Sequence, residues 1–233
     1  PQNPKTPVNQ KNYNNKMISH LSNTIRKGKL DDRIYRYIKL KNSLKCLLVS
    51  DQDTEKSSAT MFVGSGSLCD PIVDNKPLNG LAHFCEHMLF LGSKKYPVEN
   101  HYKQFLASHG GRSNAATGED YIYYYFDIKN DHFNEALEIF SSQFEHPLLT
   151  ADCSEREMNA VDSEYKKNLS SESRARTQIE KSHGTIPGSI LNRFSTGNLE
   201  TLQVPGIMDE LRKFYNNNYS ANLMNVVLVG RHN

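Results

Sequence analysis

Tryptophan is absent from the 233 residues, and cysteine occurs only four times, at Cys46, Cys69, Cys85 and Cys153. These positions lack the paired spacings of a disulfide framework or a thiolate zinc site, so the sequence predicts reduced thiols and a cytoplasmic setting. Net charge is also scarce: 28 Lys+Arg stand against 26 Asp+Glu, leaving +2. No field of one sign exists to gather a polyanion, which argues against a nucleic-acid partner. Apolar runs are short throughout. None approaches the roughly 20 residues of a membrane span, and no apolar stretch of a secretory signal opens the chain, so no membrane partner is expected.

What remains is enough chain to bury one substantial core. Residues 1–29 are rich in Asn, Lys, Gln and Pro with little apolar periodicity, and read as a flexible N-terminal extension. A single domain is expected over 30–233. Alternating or β-branched runs predict strands at 34–40, 44–50, 58–65, 112–117, 121–128 and 223–229, the first two joined by a tight turn at 41–43. Helices are predicted over 81–91, 99–108, 131–145, 152–181 and 207–216. Asp131 and Asp152 are the expected N-caps, and Met158, Val161, Tyr165 and Leu169 the apolar stripe of the longest helix. Residues 71–80, dense in Pro, Asp, Asn and Gly, read as a loop. Clustered strands favour an α+β fold, a mostly antiparallel sheet with helices packed on it.

The segment 80–92, GLAHFCEHMLFLG, places His83, Glu86 and His87 in one sector of a helix that is otherwise apolar. Burying three such groups without partners costs several kcal/mol, so water, side chains or a cation has to satisfy them. Imidazoles at i and i+4 suit a divalent metal, and the carboxylate between them is placed to act as a general base. Random order yields this spacing in roughly 2 chains of 100, so spacing alone is only suggestive; the bland alternative is a core helix whose histidines bond to backbone. Cys85 is rotated away from this sector and reads as core, where alkylation would distort the site.

A catalytic zinc needs a third protein ligand and an open position for water. Glu157 and Glu164 lie two turns apart on the apolar-edged face of the predicted long helix, and either can ligate while the other orients a ligand. Spacing does not choose between them. The competing view is that both are ordinary charges at a helix boundary.

Together with the motif, the segments 33–36 (RIYR), 56–59 (KSSA), 66–68 (GSL), 80–97, 113–115 (SNA), 124–126 (YYF), 156–164, 222–224 (NLM) and 230–231 (GR) resemble the inverzincin peptidases of the pitrilysin/insulysin group. The resemblance implies the metallopeptidase domain fold shared with mitochondrial processing peptidases, with Zn²⁺ held by His83, His87 and Glu164. It implies Glu86 as general base and Glu157 as the acid that supports a ligand. It also implies hydrolysis of small unfolded peptides, added as a strand along Ser113, Asn114, Ala115, Ala116 and Thr117. Ala116 replaces an aromatic residue found in one member, and a roomier subsite is expected there. Tyr121, Tyr123, Tyr124 and Tyr125 read as strand packing.

Long members of the group have four homologous domains in two halves. The chain corresponds to the first, so the C-terminal half of the same protein is an expected partner. A peptide-binding scaffold without catalysis is the alternative, and the intact His83, Glu86, His87 and Glu164 argue against it. A purely structural zinc is disfavoured because such sites are closed by four protein ligands.

Overall fold

In the computed structural model, which describes residues 25–231, six strands form one sheet in the order β1-β2-β8-β3-β7-β6. These are β1 (Ile34–Lys39), β2 (Lys45–Ser50), β3 (Lys56–Val63), β6 (Arg112–Thr117), β7 (Ile122–Lys129) and β8 (Met224–Gly230). Every pairing is antiparallel except β2 with β8. The last strand in sequence thus closes the centre of the sheet, between β2 and β3. Of the extension expected over 1–29, all but 25–29 lies outside the described residues.

Alternation along β3 and β7 fixes which face is buried. Ala59, Met61 and Val63 lie opposite Phe126, Tyr124 and Ile122, and all six point into the core. Helices cover that face: α1 (Leu81–Leu89), α2 (His101–Ser108), α3 (Phe133–Glu145), α4 (Ser154–Leu169), α6 (Leu199–Leu202) and α7 (Ile207–Asn218), while α5 (Glu172–Gly184) follows α4 and buries no residue. Phe84, Leu81, Met88 and Leu89 of α1 are fully buried, and each side chain contributes about 1.5–3 kcal/mol by leaving water. The hydroxyls of Tyr124 and Tyr219 pair at 2.6 Å inside this core, so neither is left unsatisfied.

The α+β layer and the mostly antiparallel sheet agree with the sequence reading, and β6 coincides with the predicted 112–117. Several local expectations do not hold. The helix predicted over 152–181 is two helices, because Ser171 leaves helical geometry (φ −91°, ψ 112°) and its hydroxyl accepts a bond from the Arg174 amide. Leu169 accordingly stands 63% exposed outside the apolar stripe. Asp131 and Asp152 sit within 3₁₀ turns ahead of α3 and α4 and cap neither helix. Segment 71–80 contains a small hairpin, β4 (Ile72–Val73) and β5 (Lys76–Pro77), whose turn residues Asp74 and Asn75 both take positive φ, a conformation Asp and Asn tolerate.

On the uncovered face, Asp127 of β7 bonds Lys56 of β3 at 2.6 Å and Arg112 of β6 at 2.8 Å, clipping three strands together. Partial burial pushes the Asp127 carboxyl up, but the two cations outweigh it and hold the group below the usual range. A carboxyl depressed in the folded state stabilises above its unfolded pKa of about 3.9 and loses that contribution as pH falls through the folded value. With Arg112 largely in solvent, Asp127→Asn is expected to cost about 1 kcal/mol at pH 7. In urea denaturation the gap between variant and parent should shrink steadily from pH 5 towards pH 3; a gap that does not change with pH would show that the clip contributes nothing.

Candidate metal centre

Helix α1 starts at Gly80 (φ 88°), which offers no side chain to its own N-terminus. The carboxylate of Asp70 fills that role, accepting bonds from the amides of Gly80 (2.8 Å) and Ala82 (2.7 Å). Burial at 3% exposure pushes Asp70 up to about 7 despite those two bonds. Gly80 also meets Gly197 so closely that a Cβ on Gly80 would lie 2.2 Å from the Gly197 Cα. This contact lays the segment before α6 along the start of α1, and the Thr196 carbonyl accepts a 2.7 Å bond from His83 Nδ1. With its proton on Nδ1, His83 turns a lone pair outward on Nε2.

Helix α4 supplies the opposing side. Glu157 Oε2 lies 3.3 Å from His87 Nδ1, and Glu164 Oε2 lies 3.4 Å from His83 Nε2 and 3.8 Å from His87 Nε2. One donor atom each from His83, His87 and Glu164 falls within a 4.8 Å cluster. Tetrahedral Zn²⁺ with ligand bonds of about 2.0–2.1 Å has donor-to-donor edges of about 3.3 Å, so these three side chains fit the ion with little rearrangement. Two nitrogens and one oxygen are also a donor set that zinc accepts and that leaves a fourth position open.

The local field favours positive charge at this point. Burial lowers the His87 imidazole, yet Glu157 and Glu164 together raise it to about 9. The close approach of His83 and His87 holds Glu164 far below its ordinary range, and His87 does the same, less strongly, to Glu157. Glu86, 7% exposed, shows the opposite shift: burial raises its pKa although Thr117 donates a 2.6 Å bond to Oε2. A carboxylate with raised proton affinity therefore stands beside the two imidazoles, held by the last residue of β6.

Every residue that the sequence assigned to the metal and to proton transfer meets here: His83, Glu86, His87, Glu157 and Glu164. The five assigned to substrate divide. Ser113, Ala115 and Thr117 face the helix layer, whereas Asn114 and Ala116 project to the opposite face. Strand β6 has β7 as its only neighbour in the sheet, so among the described residues its outer edge is unpaired. Asp70, Thr196 and Gly197 were missed, since they act through backbone atoms remote in sequence. Cys85 is fully buried and its thiol is pushed to about 12, so the expected sensitivity to thiol reagents does not arise there in the folded protein; Cys69 is the exposed cysteine.

Comparison with known proteins follows the same residues. The family described as Insulinase (Peptidase family M16) matches residues 45–185. The chain is 46% identical to the insulin-degrading enzyme of Mus musculus over 223 residues, covering 93% of this chain and 21% of that protein. A zinc protease of Schizosaccharomyces pombe is 46% identical over 87% of this chain and 21% of its own length. The crystal structure of pitrilysin superposes with a TM-score of 0.86 at 36% identity, covering 92% of this chain and 23% of pitrilysin. The chain thus spans about a fifth of the length of these relatives.

Zinc titration against a competing chelator tests the ligand set. Glu164→Gln should nearly abolish binding, Glu86→Gln should leave affinity within about twofold, and Glu157→Gln should weaken it about 10–100-fold through the loosened His87. Parental affinity in Glu157→Gln would remove that residue from the site.

Proposed function

We propose, from the premise that this chain belongs to the insulinase family of peptidases (Peptidase family M16), that it is the metal-bearing domain of a zinc metalloendopeptidase acting on small unfolded peptides. The observation that carries the proposal is the convergence of His83, His87 and Glu164 on one point with the buried Glu86 carboxylate beside it. Zn²⁺ held there supplies a Lewis acid and a bound water whose pKa falls to about 7. Glu86 would serve there as general base toward a metal-bound water, through a carboxylate whose affinity for protons burial has raised. Thr117 steadies that carboxylate, and Glu157 holds the His87 ring by its Nδ1 so that Nε2 is left on the side of Glu164.

The peptide adds as a strand to the free edge of β6, where Ser113, Asn114, Ala115, Ala116 and Thr117 present backbone donors and acceptors. Main-chain bonding of this kind is largely indifferent to substrate sequence. The partner is the remainder of the longer protein, in keeping with the fifth of the relatives' length that this chain spans. That remainder contributes the groups that stabilise the developing oxyanion, for which the described residues offer no candidate. A cytoplasmic setting is in keeping with four cysteines that remain free thiols, and no helix of the described residues is long and apolar enough to cross a membrane.

Two measurements bear on the assignment. In the full-length protein, Glu86→Gln should keep its zinc while peptide turnover falls by at least about a hundredfold; zinc retained with normal turnover would remove Glu86 from catalysis. The isolated 233 residues should bind zinc yet show kcat/KM lower by about two to three orders of magnitude than the whole protein. Equal activity would mean that this chain alone holds the complete site.

A further inference from the structure

Strand β6 has two faces, and only one of them looks at the metal. Residues directly opposed on neighbouring strands share a face, so the register Ala116↔Tyr123 and Asn114↔Tyr125 puts Ala116 and Asn114 beside those two tyrosines. Tyr124, expected with its neighbours to be strand packing, does point into the core at 1% exposure. Tyr121, Tyr123 and Tyr125 do not. They line the uncovered face, with ring centroids 5.9 Å apart from Tyr121 to Tyr123 and 6.0 Å from Tyr123 to Tyr125, each pair tilted by 27°. Phe62 of β3 continues the row, 5.7 Å from Tyr121. Tyr121 and Phe62 are 37% and 38% exposed, an unusual amount of aromatic surface for four adjoining rings.

The two flanks of this ladder differ. Towards β3, Tyr123 and Tyr125 lie opposite Phe62 and Thr60. Towards β6, Tyr123 lies opposite Ala116, a single methyl group. The end of the ladder is anchored at the same strand, because the Tyr121 ring lies over Gly118 so closely that a Cβ there would fall 2.6 Å from its Cζ. A peptide paired with β6 runs about 10 Å from β7, two strand spacings away. Every second side chain of that peptide projects over the uncovered face, and one opposite Ala116 has a low path across the methyl group to Tyr123.

We propose that Tyr123, approached over Ala116 and backed by Tyr121 and Tyr125, is the specificity-determining surface that receives an aromatic side chain from the bound peptide. This rests on the reading of β6 as the substrate edge. Because the tyrosines stack with their faces turned on one another, they present ring edges sideways to β6. Those edges carry the positive part of the ring quadrupole, so they favour the face of another aromatic ring and offer little to a lysine or arginine, which seeks a ring face. The cationic ends nearby are already engaged, Lys56 and Arg112 on Asp127.

The test uses the full-length protein carrying Glu86→Gln, so that peptides bind without turnover, and a fluorescent peptide series with Gly, Leu, Phe or Arg at the outward position opposite Ala116. Fluorescence anisotropy should show Phe binding about tenfold more tightly than Gly, and Arg no better than Gly. Tyr123→Ser should reduce the Phe-to-Gly ratio to less than about twofold while leaving the Gly peptide unchanged. Ala116→Phe, which blocks the path but keeps the ladder, should lower the same Phe-to-Gly ratio to less than about twofold. A ratio near one in the parent, or a tenfold ratio surviving in both variants, overturns the proposal. Backbone N-methylation of the peptide on its β6-facing amides separates the two readings. If methylation does not weaken binding, edge addition fails and the ladder proposal with it. If methylation weakens binding while the Phe-to-Gly ratio ignores both variants, only the ladder proposal fails.

Discussion

Two helices held side by side, α1 carrying His83 and His87 and α4 carrying Glu157 and Glu164, set the constraint on which the rest of the structure depends. Helix α1 is buried along almost its whole surface, so its polar side chains have little access to bulk water for compensation. The carboxylates of α4 supply it, at 3.3–3.8 Å from the imidazole nitrogens. Two carboxylates on two imidazoles leave a field that is more negative than the histidines alone can balance, which is the electrostatic condition a divalent cation satisfies. The same burial that makes the arrangement expensive raises the proton affinity of Glu86, and so gives the site its base.

Supporting contacts repeat one device: backbone or carboxylate oxygens fix what the ligands cannot fix themselves. Thr196 settles the His83 tautomer, Glu157 steadies His87, and Asp70 anchors the amides at the start of α1. The close contact of Gly80 with Gly197 is what lets Thr196 reach His83, and it admits no side chain at either position without displacement of backbone. Such a network restrains ring orientation, and a metal site demands donors held within about 0.5 Å of their productive positions.

Much of this was legible in the sequence because the essential spacing is local. His83, Glu86 and His87 occupy little more than one turn, and the helical period alone brings them together. The strand over 112–117 was read as well, but its use as an edge came only from the resemblance. Selecting Glu164 over Glu157 was different: helical spacing left both open, and only resemblance to a family separated them. Asp70 and Thr196 were beyond reach, being partners across 12 and 113 residues whose roles run through backbone atoms. The break at Ser171 turned on one serine hydroxyl bonded to an amide, a choice that helical periodicity does not carry.

Alternation along β6 has a consequence for how activity and selectivity relate. Thr117 touches Glu86, the proposed general base, from one face, while one residue earlier Ala116 opens onto the tyrosines of the other. Side chains that meet the metal and side chains that meet the ladder therefore interleave along the same few residues without sharing a surface. The backbone of β6 is common to both, and in the proposed edge addition it is what bonds the peptide regardless of its sequence. Substitution on the outer face can then alter which peptides bind well without moving any atom near His83, His87 or Glu164. Changes on the inner face have no such freedom, because Thr117 is tied to Glu86 and Ala115 packs against the core. Preference among peptides is the property such a sheet can change readily, and hydrolysis the one it holds fixed.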